Sequence, residues 1–205
     1  SDLYNVSDSA GNTADEITQI VSVLAGEGEG EGEESVEGEG EPIPISSIEE
    51  LQLLGNDSGY PLDGDYFLTQ DIDASATEYW NDGAGFIPIG FFINTAFRKD
   101  ETGHQKVEEV IPFDGHFDGQ GFVISNLWMA REMEYTTGLF AVAGSNAVIE
   151  NTHLENVSIT GEFMVGALVG KNTGALIRNC SAIGSVTGYS SVGGLVGANS
   201  AGTIR

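Results

Sequence analysis

The sequence predicts an all-β fold built as a parallel β-solenoid, because three short segments recur at a nearly fixed period. The first is a Leu-Phe or Leu-Val step beside glycine, with equivalent leucines at Leu139, Leu168 and Leu195. The second is an Ile-Glu or Ile-Arg step, with equivalent isoleucines at Ile149, Ile177 and Ile204. The third ends in Thr-Gly, at 159–161 and 186–188. Together they define repeats of about 27 residues over 135–205.

Stacking of these repeats explains how the chain buries its apolar residues. If each repeat is one turn of a coil, equivalent residues of successive turns lie about 4.8 Å apart and their strands form parallel sheets. The leucines then form one interior ladder and the isoleucines another. Asn151 and Asn179, one period apart, are expected to stack at a turn and to hydrogen-bond neighbouring backbone.

Glycines beside each leucine are expected where the chain turns a corner or where the next turn approaches closely. The first repeat departs from this pattern, because Ala141 stands where the others have Gly170 and Gly197. Side chains alternate along a strand, so inward leucines would turn the neighbouring valines outward. Either a bend at the glycines turns both sets inward or a partner covers an apolar strip formed by the valines Val165, Val169, Val192 and Val196.

Residues 1–25 are predicted to be a β-hairpin from another domain. Alternating residues and a turn cluster at Gly11-Asn12 precede a β-branched run over 17–24. Two strands alone are marginal in water, so we expect earlier strands of their domain to be missing. The run resembles the last two strands of bacterial immunoglobulin-like modules, which implies the C-terminal strands of an Ig-like domain. The matching residues are Tyr4, Val6, Asp8, Gly11, Asn12 and Ala14.

Residues 26–41 are predicted to be a disordered linker. They alternate glycine with glutamate and have almost nothing apolar to bury. Residues 1–50 hold 14 acidic and no basic side chains, so repulsion favours an extended linker at low salt.

Residues 42–134 are predicted to cap the solenoid and to lead into it. Two overlapping Ser-x-x-Glu patterns predict a short helix over 47–54, which Gly55 would end. Strands are predicted over 64–72 and 85–93. The polar run 98–109 is expected to be an excursion.

Both ends of the solenoid need covers, because an open sheet edge pairs with other strands. The helix and the loops before Ile89 are expected to cap the first turn. The chain stops inside a repeat at Arg205, so we expect further turns in the natural protein. It also starts at Ser1 without a signal-peptide pattern, and we expect it to be an excised piece.

The composition excludes several function classes. The 205 residues include 32 acidic and 7 basic side chains, and the net charge of −25 argues against nucleic acid or an anionic membrane as partner. No apolar run reaches the ~20 residues that a membrane span needs. The single cysteine, Cys180, excludes an internal disulfide framework. It takes the place of Thr152 one repeat earlier and is interpreted as a small, partly buried side chain rather than a reactive thiol.

The run 113–205 resembles the GLUG repeats, named for Gly-Leu-aliphatic-Gly and found in large bacterial surface and secreted proteins. Two elements that commonly precede such repeats are present: Pro-Ile-Gly at 88–90 and Phe-x-Gly-x-Phe-x-Gly-x-Gly-x-x-Ile-x-x-Leu at 113–127. With the lead-in from residue 43, the resemblance covers most of the chain. It implies a right-handed parallel β-helix that serves as a stalk, an adhesin or a companion to another domain.

Two acidic groups are the candidates for chemistry. The first surrounds Asp63-Gly64-Asp65 and is a calcium candidate, with Asp71 and Asp73, although it lacks the other ligands of a known loop. The second is Asp114 and Asp118, where a duplicated Phe-Asp-Gly predicts Asp-Gly turns with each phenylalanine pointing inward.

No catalytic, cofactor-binding or metal-binding residue is assigned from the sequence. The three histidines have no zinc-protease spacing, and they are His104, His116 and His153. Aromatic residues of the lead-in are expected to be core, with a sugar-stacking platform as the alternative: Tyr60, Tyr66, Tyr79, Trp80, Phe86, Phe91 and Phe92.

The sequence therefore predicts a non-enzymatic structural or adhesive module of a large bacterial surface or secreted protein. Its expected partners are other domains of the same chain and cell-surface glycans or proteins. The alternative is a carbohydrate-active β-helix enzyme or a glycan-binding module. That alternative needs carboxylates and a basic residue on one outer face, with Asp114 beside Arg98, Lys106 or Arg131 as the first candidates.

Overall fold

The computed structural model describes residues 41–93 and 109–205, which belong to the unit Glu39–Arg205. The hairpin predicted for 1–25 lies outside the described residues. So do the linker predicted for 26–41, except Glu41, and the excursion predicted for 98–109, except Glu109.

A short helix, α1 (Ile48–Leu53), confirms the first predicted element of the lead-in, one residue shorter at each end. Its start is fixed by a capping box. The Ser47 hydroxyl accepts a hydrogen bond from the backbone N–H of Glu50 at 3.2 Å, and the Glu50 carboxylate accepts one from the backbone N–H of Ser46 at 2.7 Å. Gly55 follows with a φ of +75°, a left-handed conformation that suits glycine and ends the helix.

The strands of the lead-in are short, and two 3₁₀ helices, Ser75–Tyr79 and Asn81–Gly83, separate the third from the fourth. The eight strands are β1 (Ile43–Ile45), β2 (Asp65–Leu68), β3 (Ile72–Asp73), β4 (Phe91–Ile93), β5 (Glu109–Ile111), β6 (His116–Asp118), β7 (Val123–Ser125) and β8 (Trp128–Ala130).

The repeats add further strands in a fixed order. They are β9 (Thr136–Thr137), β10 (Phe140–Ala143), β11 (Val148–Glu150), β12 (His153–Thr160), β13 (Met164–Gly166), β14 (Val169–Asn172), β15 (Leu176–Arg178), β16 (Ser181–Thr187), β17 (Val192–Gly193), β18 (Val196–Asn199) and β19 (Thr203–Ile204).

These strands stack as a parallel β-solenoid. Sheet A has the order β1-β2-β6-β11-β15-β19, and sheet B the order β3-β7-β12-β16, with β8 also paired to β12. Sheets C (β10-β14-β18) and D (β9-β13-β17) complete each turn of the repeats. All these pairs are parallel, whereas β4 and β5 form an antiparallel pair beside them.

The in-register ladders predicted from the repeats are confirmed. Ile149 pairs with Ile177, and Ile177 pairs with Ile204. Phe140 pairs with Val169 and Val169 with Val196, which stacks the three preceding leucines in the same way. The leucines and isoleucines of the first two repeats are fully buried: Leu139, Leu168, Ile149 and Ile177.

In the second repeat, a bend resolves the valine alternation. Val165 ends up in sheet D and Val169 in sheet C, with the Ala167-Leu168 step between the two sheets. Both valines are fully buried together with Leu168.

The glycines of the repeat serve close approach rather than positive φ. A Cβ added at Gly166 would lie 2.3 Å from the carbonyl oxygen of Val169 and 2.6 Å from the nitrogen of Gly197, and Gly166 is absent from the positive-φ residues. Ala141, which takes the place of Gly170 in the first repeat, donates its backbone N–H to the carbonyl oxygen of Ile89 at 2.8 Å.

Two strand predictions were wrong in extent. The span 64–72 forms β2 and β3, which lie in sheets A and B, because a corner of the coil separates them. The span 85–93 is a strand only in β4; Gly85 and Ile89 make isolated bridges. Apolar patterning marks the buried positions in both spans but does not mark where the coil turns.

Candidate functional site

The corner that follows β6, β11 and β15 carries a ladder of polar side chains. Asn179 donates a hydrogen bond from its Nδ2 to Oδ1 of Asn151 at 2.7 Å. Asn151 donates in turn to Oδ1 of Asp118 at 2.9 Å. The stacking predicted for Asn151 and Asn179 is therefore confirmed, but each amide bonds the side chain of the preceding turn.

A second ladder of the same design follows β3 and β7. Asn156 donates to Oδ1 of Asn126 at 2.7 Å, and Asn126 donates to Oδ1 of Asp73 at 2.8 Å. Hydrogen bonds from Asn126, and secondarily from Ser75, lower the pKa of the Asp73 carboxyl. Each ladder thus begins with an aspartate. This first side chain only has to accept a hydrogen bond from the asparagine of the next turn, and a carboxylate accepts without donating.

Backbone conformation explains why asparagine occupies these corners. Asn126, Asn151, Asn156 and Asn179 have φ between +49° and +62°. Asparagine tolerates this left-handed region better than other residues with a Cβ, and its amide both donates and accepts.

The outer face of sheet A holds an ionic cluster that sequence reasoning missed. The Glu150 carboxylate lies between Arg178 Nε, at 2.5 Å, and His116 Nε2, at 2.8 Å. The hydrogen bond from Arg178, more than that from His116, lowers the pKa of Glu150. Each carboxylate oxygen of Glu150 therefore has a partner, and the side chain is only 12% exposed to solvent. The repeat could have predicted the Glu150–Arg178 pair, because these two residues occupy equivalent positions of successive repeats.

The side chains of the first acidic group do not converge on one site in the folded chain. Asp71 accepts a hydrogen bond from the backbone N–H of Val123 at 2.9 Å, while Asp73 begins the second ladder. Within residues 41–93 and 109–205, no group of three or more His, Cys, Asp or Glu side chains is placed to hold a metal ion.

The second acidic group also stabilises loops. Asp114 accepts from both the backbone N–H and the side-chain amide of Asn146, at 2.9 and 2.7 Å. Asp118 accepts from the backbone N–H of Gln120 at 2.8 Å, as an Asx turn requires. Phe113 and Phe117 are fully buried, which confirms their inward orientation.

The basic residues named for the alternative do not join this group where they can be placed. Arg131 donates to the backbone oxygens of Phe86 and Gly85, at 2.7 and 3.0 Å, and pairs with Glu134. Arg98 and Lys106 lie outside the described residues.

The lead-in aromatics are divided between core and surface. Tyr66 and Phe86 are fully buried, as predicted, while Tyr79 is 81% exposed. Trp80 stacks against Phe86, with ring centroids 6.5 Å apart. The side chain of Phe92 is outside the described part of the chain.

A lateral groove of about 610 Å³ crosses the outer face of sheet B. Its base is a column of three residues from successive turns, namely Trp128, Ser158 and Ser185. The first 3₁₀ helix contributes Ser75 and Glu78 to the lining, and the ladder contributes Asn126 and Asn156.

A separate corner carries three aromatic residues, two half-buried and one exposed. Tyr135, Phe163 and Tyr189 come from successive turns, with ring centroids 4.7 and 5.9 Å apart. Tyr189 is 85% exposed. None of the three lines the groove.

Cys180 occupies the position that the repeat predicts, equivalent to Thr152 one turn earlier. Its Sγ donates to the backbone oxygen of Arg178 at 3.1 Å, just as Thr152 Oγ1 donates to that of Glu150 at 2.8 Å. Burial raises the pKa of the Cys180 thiol. A partly buried thiol with this partner fits the predicted structural role.

Comparisons with known proteins agree with the repeat architecture. Residues 161–187 match the family model of the GLUG motif. Over 144 residues, 69% of the chain, the sequence is 40% identical to halomucin from Haloquadratum walsbyi. Over 134 residues, 63% of the chain, it is 34% identical to a protein of Evansella cellulosilytica described as a Gly-rich membrane protein. The matches span only 1% and 13% of these two relatives.

A solved structure gives a weaker similarity. A protein from Bacteroides ovatus, described as an immunoglobulin A1 protease, aligns with 80% of this chain and 63% of its own, at 16% identity. The TM-score of 0.35 is too low to assign a fold. Helices long and apolar enough to cross a bilayer are absent from the residues that the structure describes.

Proposed function

We propose that this chain, a GLUG-motif protein, is a non-enzymatic structural module of a larger cell-surface or secreted protein. Its β-solenoid would hold neighbouring domains of the same chain apart and present them. The observation that carries the proposal is the in-register stacking of sheet A, in which six strands from β1 to β19 pair without interruption. Because every turn is hydrogen-bonded to the next, such a stack keeps its two ends at a fixed distance along its axis.

The polar side chains support a structural role. The carboxylates of Asp71, Asp73, Asp114 and Glu150 accept hydrogen bonds from backbone N–H groups, asparagine amides or the Arg178 guanidinium. Glu150 is ion-paired with Arg178 on one oxygen and hydrogen-bonded to His116 on the other, and its pKa is lowered, so it is a poor general base near neutral pH.

Apolar side chains of the last turn are exposed where their equivalents in the preceding turn are buried. Val192 and Ile204 are 43% and 44% exposed, whereas their equivalents Val165 and Ile177 are fully buried. A further turn or domain stacked here would cover these side chains, as β13 and β15 are covered by the turn that follows them.

Distance measurements between spin labels test the spacer role. Labels at cysteines replacing the exposed Pro44 in β1 and Thr203 in β19, in a Cys180→Thr background, span five strand spacings. We expect one narrow distribution centred at about 25 Å. A broad distribution would show that the stack is too mobile to set a distance.

A turnover assay tests the non-enzymatic part of the proposal. The chain should release neither reducing ends nor unsaturated products from neutral or acidic polysaccharides. Sustained release that Glu150→Gln abolishes would favour a carbohydrate-active enzyme instead.

A further inference from the structure

We propose that the lateral groove on sheet B binds a neutral oligosaccharide, with a sugar ring packed on Trp128 and its hydroxyls bonded to the groove's side chains. The inference goes beyond the spacer role. It rests on the groove's shape, on the chemistry of its lining and on polar groups there that have no hydrogen-bond partner among the described residues.

The groove exists because one turn is a residue shorter than the turn before it. Leu154 pairs with Ala182 but Val157 pairs with Gly184, so β16 advances by one residue fewer than β12 between these two pairs. The residue lost is the counterpart of Asn156, so the second asparagine ladder stops there. Gly184 then lies so close to β12 that a Cβ would be 2.3 Å from the carbonyl oxygen of Val157. The absence of a counterpart to Asn156 on β16 leaves the face of the sheet open there, where Gly184 and Ser185 line the groove.

The described residues of the lining are aromatic, polar and aliphatic, and Glu78 is the single charged side chain among them. Trp128 is half-buried, and its indole N–H is already committed to the backbone oxygen of Gly83 at 3.1 Å. The ring is therefore held in place and offers carbon surface rather than a donor. Such a surface suits the C–H face of a pyranose, which has few polar atoms on that side.

Unengaged polar groups surround this ring. Among the described residues, no hydrogen bond involves the Glu78 carboxylate or the Ser158 and Ser185 hydroxyls, and Asn156 uses only its Nδ2. A carboxylate and an amide oxygen accept hydrogen bonds, while the two hydroxyls both donate and accept. This set matches vicinal hydroxyls, which also donate and accept.

The same lining disfavours other ligands. Among the residues that the structure describes, the lining of the groove has no Lys, Arg or His to neutralise a phosphate, sulfate or uronate, and it contains Glu78. A peptide gains affinity mainly by pairing with free backbone groups, but here the base is the face of a sheet whose strands already pair. One carboxylate is too few for a calcium site.

Binding to the 205-residue chain tests the proposal. The probes are hexasaccharides of glucose, mannose, galactose or N-acetylglucosamine, with hexagalacturonate as the anionic comparison. Calorimetry gives affinity, and NMR shifts of the Trp128 indole N–H, assigned with Trp128→Phe, give location. We expect at least one neutral hexasaccharide to bind and shift that signal, with hexagalacturonate weaker.

Exposed positions provide the variants. Ser185→Trp should fill the groove and weaken binding by about tenfold or more, whereas Thr187→Trp, further along the same strand and outside the groove, should change it less than about twofold. Glu78→Gln should weaken binding by about threefold to tenfold, with Glu132→Gln as the control outside the groove. Thermal unfolding of each variant checks that it folds.

Three results would overturn the inference. They are no binding by any neutral hexasaccharide, binding that Ser185→Trp and Glu78→Gln leave unchanged, and tighter binding of hexagalacturonate. Loss of binding in Tyr189→Ala but not in Ser185→Trp would place the sugar on the exposed aromatic corner instead. The spacer role is measured separately by the spin-label distance, so the two proposals can fail independently.

Discussion

Asn151 Nδ2 donates to Oδ1 of Asp118, 2.9 Å away on the preceding turn, and this bond begins a ladder that Asn179 continues. An aspartate ends the ladder on one side because it accepts without needing to donate. The second ladder, from Asp73 through Asn126 to Asn156, repeats the arrangement at another corner. The corners of this solenoid are therefore held by side chains as well as by the sheets.

Substitution of Asn151 separates the two contributions of the ladder. Asn151→Ala loses both hydrogen bonds and places an ordinary residue at a φ of +49°, so we expect a loss of about 2 kcal/mol in the free energy of unfolding. Asn151→Gly accepts that φ and loses only the bonds, so its loss should be about 1 kcal/mol. Urea unfolding measures both. Equal stability of the two variants would argue against a conformational contribution.

Close approach at the repeat glycines predicts a sharp contrast between two glycines of the motif. Gly166→Ala should destabilise the fold by about 1–3 kcal/mol, because the new Cβ meets backbone atoms at 2.3 and 2.6 Å. Gly194→Ala is the matched control: nothing lies within 4 Å of its Cβ, and its stability should stay within about 1 kcal/mol of the parent. Similar losses at the two positions would contradict the close-approach explanation.

The Glu150 cluster predicts a pH dependence. The Arg178 hydrogen bond lowers the folded-state pKa of Glu150 below its ordinary value of 4.5. The resulting stabilisation is therefore complete above pH 4.5 and disappears as the pH falls through the lowered folded-state pKa. Arg178→Gln should destabilise the chain at pH 7 and approach the parent's stability in acid.

Unfolding curves for the parent and Arg178→Gln between pH 7 and acid measure this difference. Glu150→Gln supplies the control, because it lacks the titrating group and should show no such change from this site. A constant gap between parent and Arg178→Gln across the pH range would assign the loss to packing instead.

Burial of Cys180 predicts slow alkylation. Because burial raises its pKa, the thiolate fraction near neutral pH is small, and the sulfur is already engaged with the Arg178 carbonyl. Iodoacetamide should modify the folded chain much more slowly than the urea-unfolded chain, as mass spectrometry can follow. Equal rates would mean that this part of the last turns opens readily.

The repeat period is enough to predict the stacked turns, because apolar residues that recur at one fixed interval, with no helical stripe between them, can be buried together in a coil. It predicts Leu168 and Ile177 as core and Cys180 as the equivalent of Thr152. The bend that buries Val165 with Leu168 was one of two alternatives, and only the placement of β13 and β14 in different sheets decides it.

The polar sites were less predictable, because they depend on contacts between turns and on small changes of period. His116 meets Glu150 although their separation in the sequence is not a repeat interval, since the lead-in turns have other lengths. The lateral groove depends on one missing residue opposite Asn156, which matters only once the pairing of β12 with β16 is known. The prediction of a single strand over 64–72 was wrong for a related reason. The pattern of apolar residues does not mark where the coil turns a corner.

The most direct test of the stacked turns is a methyl NOE spectrum of the chain labelled at isoleucine and leucine methyl groups. Neighbouring turns about 4.8 Å apart predict cross-peaks between Ile149 and Ile177 and between Ile177 and Ile204, with none between Ile149 and Ile204. The leucines should give cross-peaks between Leu139 and Leu168 and between Leu168 and Leu195, with none between Leu139 and Leu195. Absence of the Ile149–Ile177 peak, or a direct Ile149–Ile204 peak, would contradict the architecture.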